Sequence, residues 1–191
     1  MSQLKDPMTN ALTSASISPH HLEAVTRQDY EPQARIEGVE IVDLRVLTDD
    51  GGSFLEMARF DDVGNLLSLP GVKPRQMNYS LVMPGAVKAW HLHYKQEDVW
   101  FVPPEQRLLL GLYDCRSGSP TEDDSMRVVL GGGRGRLIRI PMGVAHGCAN
   151  VGTTPASIIY FVTQTFDIED ADEQRLPWDH FGADFWDMVK G

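Results

Sequence analysis

Apolar and polar residues alternate with a period of two along much of this chain, in short runs broken by glycine and proline. The pattern predicts strands over 39–47, 53–60, 75–82, 99–102, 107–114, 126–130, 136–140 and 156–162. The last, Ala-Ser-Ile-Ile-Tyr-Phe-Val, is the richest in β-branched and aromatic residues. Asp49-Asp-Gly-Gly-Ser53 reads as a hairpin turn joining the first two strands. Pro84-Gly85, Pro103-Pro104 and Gly131-Gly-Gly-Arg-Gly135 punctuate the rest. Helix-period segments are scarce, the better ones being 19–27 and 182–188 at the two ends. Many short strands with evenly spaced turns predict an all-β sandwich or barrel. Residues 1–21 show little periodicity and are expected to form a loose arm, leaving 22–191 as a single domain.

The chain is long enough to bury a full core, with 191 residues of which 42% are hydrophobic. Its formal net charge of −10 argues against nucleic acid as the partner, since that footprint is basic. Cys115 and Cys148 are too few for a disulfide framework and too far apart for a CxxC knuckle, so both read as free thiols. No run reaches the ~20 apolar residues of a membrane helix. The first residues lack the basic-then-apolar order of a secretory signal, which leads to the expectation of a cytoplasmic protein without a membrane partner. The glycine run at 131–135 lacks P-loop spacing and lies between strands, so it is a turn. The acidic run at 169–173 reads as a solvated loop and the four tryptophans as core or interface.

Chemistry concentrates in Lys88-Ala-Trp-His-Leu-His-Tyr-Lys-Gln-Glu-Asp98. On a strand His91 and His93 share a face. The remaining histidine in an ordered context is His146, in Ile140-Pro-Met-Gly-Val-Ala-His-Gly147.

These two stretches resemble the paired motifs of the cupin superfamily. Gly85, His91, His93 and Glu97 meet the first motif, with Pro104 where its final glycine belongs; Gly135, Pro141, Gly143, His146 and Asn150 meet the second. From about Gly52 to Asp179 the chain is similar to the dTDP-4-dehydrorhamnose 3,5-epimerase family, through Gly52-Ser-Phe-Leu-Glu56, Gln76-Met-Asn-Tyr-Ser80, Gly85-Ala-Val-Lys-Ala-Trp-His91, Ser119-Pro-Thr121 and Trp178-Asp179. The resemblance implies a jelly-roll barrel, a homodimer and a nucleotide-sugar substrate. It implies His91 as catalytic base, with Asp179 or its neighbour as the carboxylate that orients it. Lys88 falls on a substrate-binding arginine and His146 on a second active-site histidine. Gln76 and Asn78 lie on the substrate strand, and Phe54 and Glu56 on a strand that reaches the neighbouring subunit's nucleotide sugar. Three departures stand out: Gly51 replaces an arginine, Glu97-Asp98 fall where a lysine is expected, and Thr165 and Phe166 replace paired tyrosines.

Two chemistries compete for His91. Abstracting a proton next to a ketone needs a base near neutral pH, which imidazole supplies, and a donor for the enolate oxygen. The expected reaction is epimerisation or isomerisation of a 4-keto deoxysugar nucleotide without a cofactor, with Tyr79, Tyr94 and Tyr160 as candidate acids. Alternatively His91, His93, Glu97 and His146 form a His3Glu shell for a divalent transition metal. A third reading is a sugar-nucleotide-binding cupin that has lost catalysis.

Overall fold

Residues 12–27 and 35–188 are described by the computed structural model, which divides the chain into two units, Met1–Gln33 and Ala34–Gly191. In the first unit the predicted N-terminal helix is a single turn, α1 (Pro19–Leu22), with exposed side chains and proline at its start. Most of the expected arm, residues 1–11, lies outside the described residues.

The second unit is built from twelve strands: β1 (Glu40–Leu44), β2 (Val46–Asp49), β3 (Gly52–Leu55), β4 (Gln76–Val82), β5 (Val87–Leu92), β6 (Asp98–Phe101), β7 (Arg107–Asp114), β8 (Ser125–Gly131), β9 (Gly135–Ile140), β10 (Val144–Ala149), β11 (Ala156–Val162) and β12 (Gln174–Arg175). Two five-stranded sheets result, ordered β1-β9-β6-β11-β4 and β12-β5-β10-β7-β8, with β2-β3 as a separate hairpin. Every pairing is antiparallel, and the fold is the cupin jelly roll. The predicted first strand splits because β1 pairs with β9 while β2 pairs with β3. The predicted C-terminal helix is only a 3-10 turn, Ala183–Trp186.

Three apolar clusters explain which strands alternate and which do not. The central one joins the sheets through Trp100, Leu108, Leu110, Ile138, Ile140 and Cys148. A second lies under the 57–72 segment, where Leu66, Leu69 and Val72 cover Val99, Phe101, Leu137 and Phe161. The third lies under the C-terminal segment, where Trp186, Phe181 and Phe185 pack on Trp90, Leu109 and Ala145. β6 and β10 are therefore buried at every residue, and their sequences lose the period of two.

The C-terminal cover has a specific seat. A Cβ on Gly111 would lie 2.5 Å from Phe185 and 2.7 Å from Trp186, so this one residue of Leu108-Leu-Leu-Gly-Leu112 has to be glycine. The indoles of Trp90 and Trp186 both donate to the Trp178 carbonyl, at 3.1 and 3.0 Å. That satisfies their N–H groups while burying two large rings, a substitution to alanine costing about 3–5 kcal/mol each. The cover also fixes the chain direction that delivers β12 to β5. Among the described residues no helix is long and apolar enough to cross a membrane.

Candidate active site

The sheets enclose a cavity of about 1090 Å³. One wall is β5 and β10 and carries Lys88, His91 and His146, with His93 just past the end of β5. The opposite wall is β4, β6 and β11 and carries Gln76, Asn78, Ser80, Asp98, Trp100 and Tyr160. His146 lies on the strand next to that of His91 in the same sheet, the two residues paired in register. The two rings stack at 5.8 Å and 16°, and His93 lies 5.2 Å from His146.

His91 is held between two charged groups, Arg175 on β12 and Glu173 just before it. Arg175 Nη1 lies 2.8 Å from its Nε2, and since a guanidinium only donates, Nε2 is the acceptor. Nδ1 therefore carries the proton and points toward Glu173 Oε1 at 3.5 Å. Burial first, then the neighbouring His146, Arg175 and His93, push the His91 imidazole down to about 3, so the ring is neutral. Asp179, expected to orient this base, is exposed in the turn after Trp178 and does not line the cavity. Pairing of β12 with β5 sets Arg175 opposite His91 and brings Glu173 to the ring, so the carboxylate next to this imidazole is Glu173.

Behind His91 lies a buried trio. His146 donates Nδ1–H to the Val144 carbonyl at 3.1 Å, and His93 donates Nδ1–H to the Asp172 carbonyl. Both Nε2 atoms then face Asp98, His146 at 3.6 Å and His93 at 3.8 Å. Asp98 also accepts from Gln96 Nε2 at 2.8 Å and from the Trp100 indole at 3.0 Å. Burial opposes its ionised form, but His146, His93 and Trp100 outweigh that and hold the carboxyl well below the usual range.

Glu97, expected as a metal ligand, does not reach this group. Successive side chains of extended chain point to opposite sides, so Asp98, the first residue of β6, faces the cavity while Glu97, just before it, pairs with Arg139 on the neighbouring β9, at 2.9 and 3.0 Å to Nη2. Donor atoms of His93, Asp98 and His146 all lie within 4.8 Å of one another. Metal–ligand bonds of about 2.1 Å need donors roughly 3.4 Å apart, so this set would hold a divalent ion once its donors draw together by up to about 1.4 Å. Its imidazole tautomers are already fixed by carbonyls.

The acidic run at 169–173 is an exposed loop, as expected, and it also forms the rim of the cavity. Asp172 accepts the backbone N–H groups of Tyr94, Lys95 and Gln96 at 2.9, 2.6 and 2.9 Å, and Asp170 pairs with Lys95 at 2.7 Å. Nothing within the run signals this; the partner is a turn more than seventy residues away. Of the substrate-strand residues, Gln76 donates to Asn78 at 2.7 Å, and Lys88 Nζ donates to the Leu81 carbonyl at 3.0 Å and Ser80 Oγ at 3.4 Å. Thr165 and Phe166 line the cavity where tyrosines were expected. Tyr160 stands on β11, in register with Asn78 and Trp100, across from the histidines. Burial, then the Asp98 and Glu173 charges, raise its phenol, which keeps the proton. Phe54 and Glu56 are exposed outside this cavity, Glu56 pairing with Arg59 at 2.6 Å.

Comparison with known proteins agrees with this geometry. Residues 33–186 match the family described as dTDP-4-dehydrorhamnose 3,5-epimerase. The chain is 40% identical over 144 residues to a spore coat polysaccharide biosynthesis protein of Bacillus subtilis, SpsL, covering 75% of this chain and 91% of that one. It is 36% identical to a probable low-salt glycan biosynthesis epimerase of Haloferax volcanii, covering 75% and 89%. The crystal structure of a dTDP sugar isomerase from Desulfovibrio desulfuricans superposes with a TM-score of 0.66 at 31% identity, covering 76% of this chain and 87% of the other. A cavity walled by histidines on one sheet and by Gln76, Asn78 and Tyr160 on the other, within a chain matched over most of its length, makes this protein a cupin enzyme belonging to the dTDP-4-dehydrorhamnose 3,5-epimerase family.

Proposed function

We propose that this protein moves a proton at a carbon next to the ketone of a 4-keto deoxysugar nucleotide, with His91 as base and Tyr160 as acid. The observation that carries the reading is that a neutral imidazole and a protonated phenol come from opposing sheets onto one cavity. A sugar ring between them would lose a proton to His91 on one face. The resulting enolate would then take a proton from Tyr160 on the other, inverting the carbon. Negative charge on the ketone oxygen would be met by Lys88, whose Nζ touches only the Leu81 carbonyl and Ser80 Oγ. Gln76 and Asn78 offer amide donors and acceptors to the substrate. No cofactor enters this sequence of steps.

The same reading takes the protein to be a cytoplasmic homodimer. Exposure of Phe54 and Glu56 on and beside β3, away from their own protomer's cavity, suits residues that serve a partner's site. A second reading is favoured by the His93, Asp98 and His146 cluster, which would hold a divalent ion that polarises the ketone oxygen. Deuterium uptake from D2O into dTDP-4-keto-6-deoxyglucose tests the first reading. Exchange should vanish in His91→Asn; exchange at the wild-type rate in that variant rejects His91 as base. Stoichiometric metal in tag-free protein, lost in His93→Ala, would establish the second.

A further inference from the structure

The lone pair that His91 needs for catalysis is occupied. Arg175 Nη1 donates to Nε2 at 2.8 Å, and Arg175 Nη2 donates to Glu173 Oε1 at 2.5 Å. A base hydrogen-bonded to a guanidinium cannot accept a carbon-bound proton until that donor leaves. The arrangement is loosely anchored on its outer side: the side chains of Arg175 and Glu173 are 56% and 40% exposed, and β12 is two residues long. The inner side, His91, is fixed by the β5–β10 register and the His146 stack.

Cations at this cavity are few. Lys95 is committed to both oxygens of Asp170, at 2.9 and 2.7 Å. Lys88 touches only neutral acceptors. Arg175 is the cation that could change partners, because a diphosphate offers its planar fork a paired, doubly charged acceptor in place of one carboxylate oxygen and one imidazole.

On the reading that His91 is the base, we propose that Arg175 is a specificity-determining and positioning residue. It covers Nε2 in the free enzyme and is drawn off by the diphosphate of the bound substrate, so that proton abstraction is limited to sugars carrying that group. The diphosphate thereby contributes to the chemical step as well as to binding. Glu173, left on the Nδ1–H of His91, then orients the uncovered ring.

Deuterium uptake is measured with two probes, dTDP-4-keto-6-deoxyglucose and the methyl glycoside of 4-keto-6-deoxyglucose, which has no phosphate. In the wild type the glycoside exchanges slowly, and adding dTDP in trans speeds it. In Arg175→Ala, and in Arg175→Gln, glycoside exchange rises roughly tenfold or more and no longer responds to dTDP. KM for the nucleotide probe rises roughly 10- to 100-fold, the worth of a charge-assisted hydrogen bond, while kcat stays within about threefold. Unchanged glycoside exchange in both variants, or a fall in kcat with KM intact, overturns the proposal. His91→Asn separates the two levels: exchange with either probe in that variant removes the base assignment itself, whereas its loss there leaves the Arg175 outcomes to decide alone.

Discussion

Gly147→Ala should break the register that sets His146 beside His91. Gly147 sits where the pairing of β10 with β5 slips between His146 and Cys148, an irregularity that re-aims the side chains on either side. A Cβ there would lie 2.4 Å from the Ala89 Cβ, 2.7 Å from the Ala89 Cα and 2.8 Å from the Lys88 carbonyl oxygen. Carbon atoms in contact sit about 3.5–4.0 Å apart, so the two strands must separate by roughly 1 Å. The obstacles are backbone and a Cβ, which no rotamer change can move aside. Overpacking of this kind costs about 1–3 kcal/mol, and at about 2–4 °C per kcal/mol for a chain of this size the melting temperature should fall by roughly 2–12 °C. Function should suffer more than stability. A 1 Å misplacement of catalytic groups costs about 100-fold, and here His91 on one strand moves against His146 on the other. The assay pairs thermal unfolding with deuterium exchange into the keto sugar, well below the variant's melting point. A variant that melts within about 1 °C of wild type and exchanges at the wild-type rate refutes the reasoning.

Three further outcomes follow from the same structure. Tyr160→Phe should retain solvent exchange but lose inverted product by about 10²–10⁴-fold, the usual worth of a general acid; equal loss of both would assign Tyr160 to binding. Asp98→Asn removes the carboxylate shared by His93 and His146, leaves buried groups without their counter-charge at a cost of about 3 kcal/mol, and should abolish activity, whereas Glu97→Gln loosens only the Arg139 pair and should leave exchange within a few-fold. Asp114 is buried, with Arg116 at 2.7 Å and the hydroxyls of Ser119 and Thr121 at 2.6 and 2.7 Å. Burial raises its carboxyl, but those partners more than reverse that and depress it. A depressed carboxylate stabilises above the unfolded pKa of about 3.9 and loses that contribution as pH falls below it. Asp114→Asn should therefore cost about 3 kcal/mol at pH 7, with the gap to wild type closing in acid unfolding below about pH 4.

The strands best read from sequence are those with one covered face. β4 and β8 follow the alternating pattern nearly residue for residue. β10 went unread as a strand because the C-terminal segment covers its second face, so that all six of its residues are buried and the period of two disappears. The single predicted strand at 39–47 broke in two because its halves take different partners, a matter of sheet topology rather than of local preference.

For the site, the sequence by itself determined the two histidine motifs, the cupin jelly roll they belong to and the strand that brings Gln76 and Asn78 to the cavity. These depend on short spacings, which a strand converts directly into a shared face. Tertiary structure alone decided which carboxylates serve the histidines. Glu97, just before β6, and Asp98, its first residue, point to opposite sides, so strand phase sent one to Arg139 and the other to the cavity. Glu173 and Arg175 reach His91, and Asp172 reaches the turn after His93, because a C-terminal segment seated on Gly111 and Trp90 returns across β5. Contacts over more than seventy residues leave no periodic trace in either partner, since each local pattern is satisfied without the other.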